Sequence, residues 1–366
     1  MIMKKLTSYC SLNMGQSPDS KTYNTNGEGM PFYQGNADFG VIHPVTRVWC
    51  SQPVKKAKKG DILISVRAPI GAMNIANEDC CIGRGLAALT PFAETSTEFL
   101  YYAVQSRVDS LIAQGTGSTF KAISKKVLEE TLLPSFSKKE QVDIIRKLGL
   151  VDSAIAERQK QLDLLKQLVK SRFIEMFGDI VSNPFGWQKQ KLSQNATLLN
   201  GRAYKQEELL DSGKYPVLRV GNFFSNRGWY YSDLELEPDK YCDNGDLLYA
   251  WSASFGPQIW KGSKVIYHYH IWKVIVGKAY DKMFLCKLLD YATSLLMGDT
   301  HGIAMMHLTK SGMEETEFIV PPISLQQQFA VFVEQVDKSK FYIQQIDEIY
   351  LLIIKTLSWR VKHDYN

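Results

Sequence analysis

Apolar positions along the chain change period twice, in the same way each time. A mixed segment rich in Gly, Asn, Tyr and β-branched residues gives way to a short helical pattern and then to a long heptad pattern. In the first long pattern Leu148, Ile155, Leu162, Val169 and Met176 recur at one heptad position, with Val151, Arg158, Leu165 and Arg172 at the other. In the second, Phe329, Val336, Ile343, Tyr350 and Leu357 alternate with Phe332, Ser339, Ile346, Ile353 and Arg360. Ser137-Lys138-Lys139-Glu140 and Ser324-Leu325-Gln326-Gln327 have the spacing of capping boxes and predict where each helix starts. A helix of about 37 residues spans about 55 Å, more than one small domain covers, so each apolar stripe calls for a partner. The other long helix supplies it, and a two-fold relation between the halves makes the pair antiparallel.

The sequence itself repeats. Leu6 and Gly15 fall on Leu192 and Gly201 at an offset of 186, and Gly60-Asp61-Ile62-Leu63 falls on Gly245-Asp246-Leu247-Leu248 at 185. Phe99-Leu100, Gly117 and Glu129-Glu130 keep the offset of 185, and Pro134 and Ser137 meet Pro321 and Ser324 at 187. A drift of two residues over about 130 positions marks an internal duplication rather than scattered glycines. The expected organisation is therefore a mainly-β domain over 1–136, a spacer helix over 137–178, a turn-rich joint over 179–187, a second such domain over 188–323 and a second helix over 324–366. The fold class is α+β with pseudo-two-fold symmetry. Leu148, Ile155, Leu162 and Val169 are expected to pair with Val336, Ile343, Tyr350 and Leu357.

Composition narrows the class. With 366 residues, 45% hydrophobic and 22% charged, the chain is folded and long enough for several domains. Its apolar runs fall short of the roughly 20 residues that span a bilayer, and the N-terminus has no signal-peptide core, so a cytoplasmic protein without membrane association is expected. Six cysteines form no C-x-x-C pair and suit reduced thiols. The net charge of +5 permits nucleic-acid binding without requiring it. No phosphate-loop motif is present. Gly83-Arg84-Gly85-Leu86-Ala87-Ala88 lacks the helix a dinucleotide fingerprint needs, so it reads as a turn before a strand. His268-Tyr269-His270 could put two imidazoles on one strand face, but no third ligand is indicated. Neither a metal site nor a catalytic constellation is expected.

The loops carry the remaining chemistry. Framework glycines, Gly-Asp pairs and helix caps agree between the halves, whereas the loops differ, as suits two copies of one scaffold reading different half-sites. Arg, Gln and Asn make paired hydrogen bonds to base edges, and loops on a rigid sheet deliver them into a groove. The candidates for DNA contact are Gln34, Asn36, Arg67, Arg84, Ser118, Thr119 and Lys121 in the first half. Those in the second are Arg219, Asn222, Arg227, Trp251, Ser252, His268, Tyr269 and His301, with Arg219 and Asn222 placed at a strand-end turn.

The duplicated Gly-Asp-Ile/Leu-Leu strand starts, Arg67-Ala68-Pro69-Ile70-Gly71, Ile82 to Ala88, the Pro-x-x-Ser helix entries and the Asn183 to Trp187 joint together resemble the specificity subunit of type I restriction-modification systems. The resemblance implies two target-recognition domains separated by an antiparallel pair of coiled-coil helices, reading a bipartite double-stranded DNA target. It implies two methyltransferase and two restriction subunits as partners. Those partners would hold S-adenosylmethionine, ATP and magnesium, leaving this chain without cofactor or catalysis. The second half departs from the pattern, with Ser252-Ala253-Ser254 in place of Arg-Ala-Pro. The alternatives are a standalone DNA-modifying enzyme and a coiled-coil adaptor that does not bind DNA.

Overall fold

The computed structural model describes residues 2–117, 121–224, 228–252, 254–298 and 309–363, and only the backbone of 296–298 and 346–363. The chain divides into two units, 1–158 with 346–366 and Gln159–Gln345, so that each long helix contributes to both. Within each unit the mixed domain is built on the same plan.

In the first unit an antiparallel sheet has the spatial order Cys10–Met14, Leu86–Pro91, Ile62–Ser65, Met73–Ile75. Successive side chains on a strand face opposite ways. Ile62, Ile64, Ala87 and Leu89 therefore pack with Phe99, Leu100, Val104 and Leu128 of the helices. Leu63, Leu86 and Ala88 instead pack with Tyr33, Ala57, Cys80 and Ile82 of a second sheet. Burial on both faces explains why these strands read as unbroken apolar runs rather than alternating ones. The second sheet joins Met30–Tyr33 in parallel to Cys80–Ile82, with Lys56–Ala57 at its edge.

The second unit repeats this topology. Ala196–Asn200, Ile271–Val276, Leu247–Ser252 and Ser254–Ile259 take the same order, and Tyr215–Leu218 runs parallel to Val265–Tyr267. The repeated motifs have identifiable tasks. Gly60 and Gly245 adopt φ of +87° and +89°, where glycine carries no Cβ penalty. The following carboxylates close the same turn, Asp61 accepting the Lys58 amide and Asp246 the Asp243 amide, each at 2.8 Å. Gly15 and Gly201 permit a close approach: a Cβ would stand 2.1 Å from the Gly83 carbonyl oxygen in one half and 2.4 Å from that of His268 in the other. Ser124 and Thr309 cap matching short helices through the amides of Val127 and Gly312.

The long helices run over Lys138–Phe177 and Ile323–His363, 40 and 41 residues, slightly longer than the heptad pattern implies. The first capping box forms: Ser137 donates its N–H to Glu140 at 2.8 Å, and the Glu140 amide returns to Ser137 Oγ at 3.3 Å. The second does not. That helix starts at Ile323, after Pro321-Pro322, which leaves Ser324 inside its first turn. Gln326 is fully buried and binds the Ala279 and Pro321 carbonyls and the Asp281 amide. The Leu325 and Gln326 amides already donate to the Pro322 carbonyl at 3.0 and 3.2 Å, so the helix is under way before Ser324 could cap it.

In the second unit the end of the first helix packs antiparallel on the start of the second. Phe177 meets Phe329 at 5.5 Å between ring centroids, Arg172 lies over Phe332 at 5.8 Å, and an open groove joins Leu164 and Leu168 to Ser339 and Ile343. Leu162, Val169 and Val336 are buried, Ile343 half-buried. Leu148 and Ile155 are half-buried in the first unit, while the side chains of Tyr350 and Leu357 lie outside the described residues. All six cysteines are free and buried, and no described helix is long and apolar enough to cross a membrane.

Candidate nucleic-acid interface

In the first unit four of the predicted residues surround one cleft. Gln34 and Asn36 leave the strand Met30–Tyr33 in a turn fixed by Asp38, whose Oδ2 accepts the amides of Gln34 and Gly35 at 2.7 and 3.4 Å. Arg67 follows the strand Ile62–Ser65, in a loop held by Ser65 Oγ on the Arg67 carbonyl and by the Ala68 amide on the Lys121 carbonyl. Arg84 sits in the turn before Leu86–Pro91, its amide donating to Ser17 Oγ at 3.3 Å. The close contact of Gly85, whose Cβ would lie 2.2 Å from the Gln34 carbonyl oxygen, ties two of these loops together. Gln34, Asn36, Arg67 and Arg84 thereby line a cleft of about 560 Å³ with Ser17 and Ser20.

The lining of the cleft offers two guanidinium groups with hydroxyl and amide hydrogen-bonding groups. Arg67 and Arg84 are exposed and form no ion pair among the described residues, so their donor forks face solvent. Lys121 is exposed beside Arg67, while Ser118 and Thr119 lie outside the described residues. Planar donors with Asn and Gln amides suit the paired acceptors and donors of base edges.

The second unit puts different chemistry on the matching strand ends. The loop of 66–72 that carries Arg67 has no counterpart, because Ser252 pairs with Ser254 in a tight hairpin. Trp251 lies on that hairpin, stacked on Trp272 at 5.7 Å, and its Nε1–H donates to the Tyr269 carbonyl at 2.9 Å. His268, Tyr269 and His270 form a turn, not a strand face, and their rings crowd one another, His268 to His270 at 4.7 Å. Burial pushes the His268 imidazole down to about 4, helped by His270 and Arg219, and burial also lowers His270. His268 is therefore neutral near pH 7 and adds a ring rather than a charge. No group of side chains suited to a metal ion occurs among the described residues.

Arg219 and Asn222 have separate roles. Arg219 stacks on Tyr230 at 4.6 Å. Asn222 belongs to a short helix, Val220–Phe224, rather than to the expected strand-end turn. Its amide accepts the Arg219 N–H at 3.3 Å and donates to the Gly228 carbonyl at 3.2 Å, so it braces the loop beneath Arg219. Arg227 and His301 lie outside the described residues.

Sequence reasoning missed Arg202 and Tyr204. Arg202 makes a two-pronged pair with Glu208 at 2.7 and 2.8 Å, which holds that carboxyl down to about 2, and it stacks on Tyr204. Tyr204 in turn faces His268 at 6.3 Å. They follow Gly201 as Gln16 and Pro18 follow Gly15, and Ser17 and Pro18 line the first cleft, so the repeat itself marked this segment as a site wall.

The family model described as type I restriction modification DNA specificity domain matches residues 2–167 and 184–350. Over 163 residues the chain is 40% identical to a Methanocaldococcus jannaschii protein named for the MjaX type I restriction enzyme specificity subunit, covering 44% of this chain and 38% of that one. The type I restriction enzyme MjaIX specificity subunit of the same organism is 23% identical over 373 residues, 91% of this chain and 85% of its own length. The S subunit of a type I restriction-modification system from M. genitalium has the same fold, with a TM-score of 0.52 at 17% identity over 98% of this chain and 95% of that one. Two consecutive matches over duplicated domains place the chain in the type I restriction-modification DNA specificity family.

Proposed function

We propose that the chain is the DNA-reading subunit of a type I restriction-modification complex, with one mixed domain for each part of a bipartite double-stranded target. The observation that carries this reading is the pairing of one scaffold with two loop chemistries. Strand ends at matching positions present Gln34, Asn36, Arg67 and Arg84 in one copy and Arg219, Trp251 and the His268–His270 turn in the other. A duplicated binder of one target would have no reason to diverge there while keeping its Gly-Asp turns and helix caps.

In this reading the long helices act as a spacer. A helix of 40 residues measures about 60 Å, or about 18 base pairs at 3.4 Å each, an upper bound on the distance between half-sites. Methyltransferase and restriction subunits dock on the chain and carry out the chemistry, using S-adenosylmethionine for methyl transfer and ATP with magnesium for restriction. The chain itself is non-catalytic.

The test is to express the chain with its methyltransferase subunits and map the methylated sequences. A two-part motif is expected, and Arg67→Ala should relax only one part, each lost base contact costing about 1–3 kcal/mol. A continuous motif, or a loss spread evenly over both parts, overturns the assignment.

A further inference from the structure

The two domains carry their charges differently. Residues 1–136 hold 14 basic and 11 acidic side chains, and 188–323 hold 15 of each. Within 1–136, Lys125 is the one basic side chain in an ion pair among the described residues. Within 188–323 seven basic side chains pair with carboxylates, Arg202, Lys240 and Lys273 among them. The unpaired cations of the first domain are also concentrated. Lys56, Lys58 and Lys59 are exposed and Lys55 half-buried, along the edge strand Lys56–Ala57 and the residues flanking it.

That edge adjoins the cleft. Lys56 pairs with Cys81, and the Ile82 amide donates to the Lys55 carbonyl at 2.9 Å, so the lysines run beside the strand that leads directly into Gly83, Arg84 and Gly85. The matching positions of the second domain are Lys240, Tyr241, Cys242, Asp243 and Asn244, where Lys240 is already paired with Asp239.

From this we infer that the halves divide the holding of DNA: the Lys55–Lys59 edge binds backbone phosphates beside the first half-site, and the second domain contributes little charge. This rests on the DNA-reading function above. Phosphate contacts set affinity and its salt dependence without reading sequence, since each releases condensed counterions. Lysines on a sheet edge also serve to block pairing with another strand. That role needs charge there but predicts no effect on DNA.

The experiment measures binding of the full chain to a long mixed-sequence DNA duplex across a salt series. Lys55→Gln with Lys56→Gln should make the plot of log affinity against log salt shallower by about 1.8, since each phosphate contact contributes about 0.9. Lys55→Arg with Lys56→Arg should retain the original slope, and Lys261→Gln with Lys264→Gln should leave it unchanged. Circular dichroism melting of every variant checks that it folds. An unaltered slope in the glutamine pair at Lys55 and Lys56 overturns the phosphate surface, and equal losses from both glutamine pairs overturn the division. Unmodified chain without salt-dependent DNA binding overturns the DNA-reading function itself, a result distinct from either.

Discussion

Asp38 Oδ2 accepts the backbone N–H of Gln34 at 2.7 Å, across the turn that sets Gln34 and Asn36 at the mouth of the first cleft. Nothing in Asp38 needs to touch a ligand for this contact to matter. Asp38→Ala should cost about 1 kcal/mol of stability, the usual value of a lost capping side chain. It should also loosen recognition of the first half-site while sparing the second. Urea unfolding and motif mapping of the variant check the two parts.

Phe173 occupies the packed centre of the second unit, with Phe177, Phe284, Tyr291 and Phe329 rings between 5.1 and 5.8 Å away. It is 2% exposed, so truncation leaves a cavity that four rings cannot collapse into without breaking their own contacts. Phe173→Ala should destabilise the chain by about 3–5 kcal/mol. Thermal unfolding of the full chain provides the measurement, and a change under about 1 kcal/mol would contradict the packing described.

His268 gives a pH prediction with a definite sign. Its folded value lies at about 4 against an ordinary 6.5, so the unfolded chain binds a proton in that window which the folded chain refuses. The contribution of His268 to stability is present above pH 6.5 and is lost progressively as pH falls towards 4. His268→Gln should flatten the fall of unfolding free energy across this window. Equal slopes in the parent and the variant would show that another group governs it.

The helical spacer predicts a change in target geometry. Adding one heptad between Gly149 and Arg158 lengthens the helix by about 10 Å, close to three base pairs, and keeps the apolar seam in phase. A matching heptad is needed in the second helix. The methylated motif should keep both specific parts and widen the gap between them. New bases at an unchanged gap would exclude a spacer role.

The duplication was legible because the repeated residues solve local problems that do not depend on the rest of the chain. Gly60-Asp61 and Gly245-Asp246 close one kind of turn, and Gly15 and Gly201 admit one kind of backbone crossing. The first capping box was legible for the same reason, being complete within Ser137 to Glu140. Ser324 misled because the helix starts one residue earlier, at Ile323 after Pro321-Pro322, with the Leu325 and Gln326 amides already bonded to the Pro322 carbonyl. Asn222 was expected at a strand-end turn, yet it lies in the short helix Val220–Phe224, where its amide also bonds the Gly228 carbonyl, a placement that no spacing rule gives. Arg67 and Ser252 share a place in the repeat, but a broad loop in one half and a hairpin in the other separate their surroundings.

Each mixed domain begins and ends on a two-stranded ribbon, Met3–Lys5 against Leu132–Pro134 and Lys189–Lys191 against Glu317–Ile319. The chain thus enters and leaves a domain at one doorway, with Lys4 opposite Leu133 and Gln190 opposite Phe318. Genetic exchange cut at these ribbons would replace every loop that faces the cleft while leaving the helices and their junctions intact. Under the proposed DNA-reading function, one such exchange would replace a whole recognition domain at once, with its buried sheet intact rather than altered residue by residue.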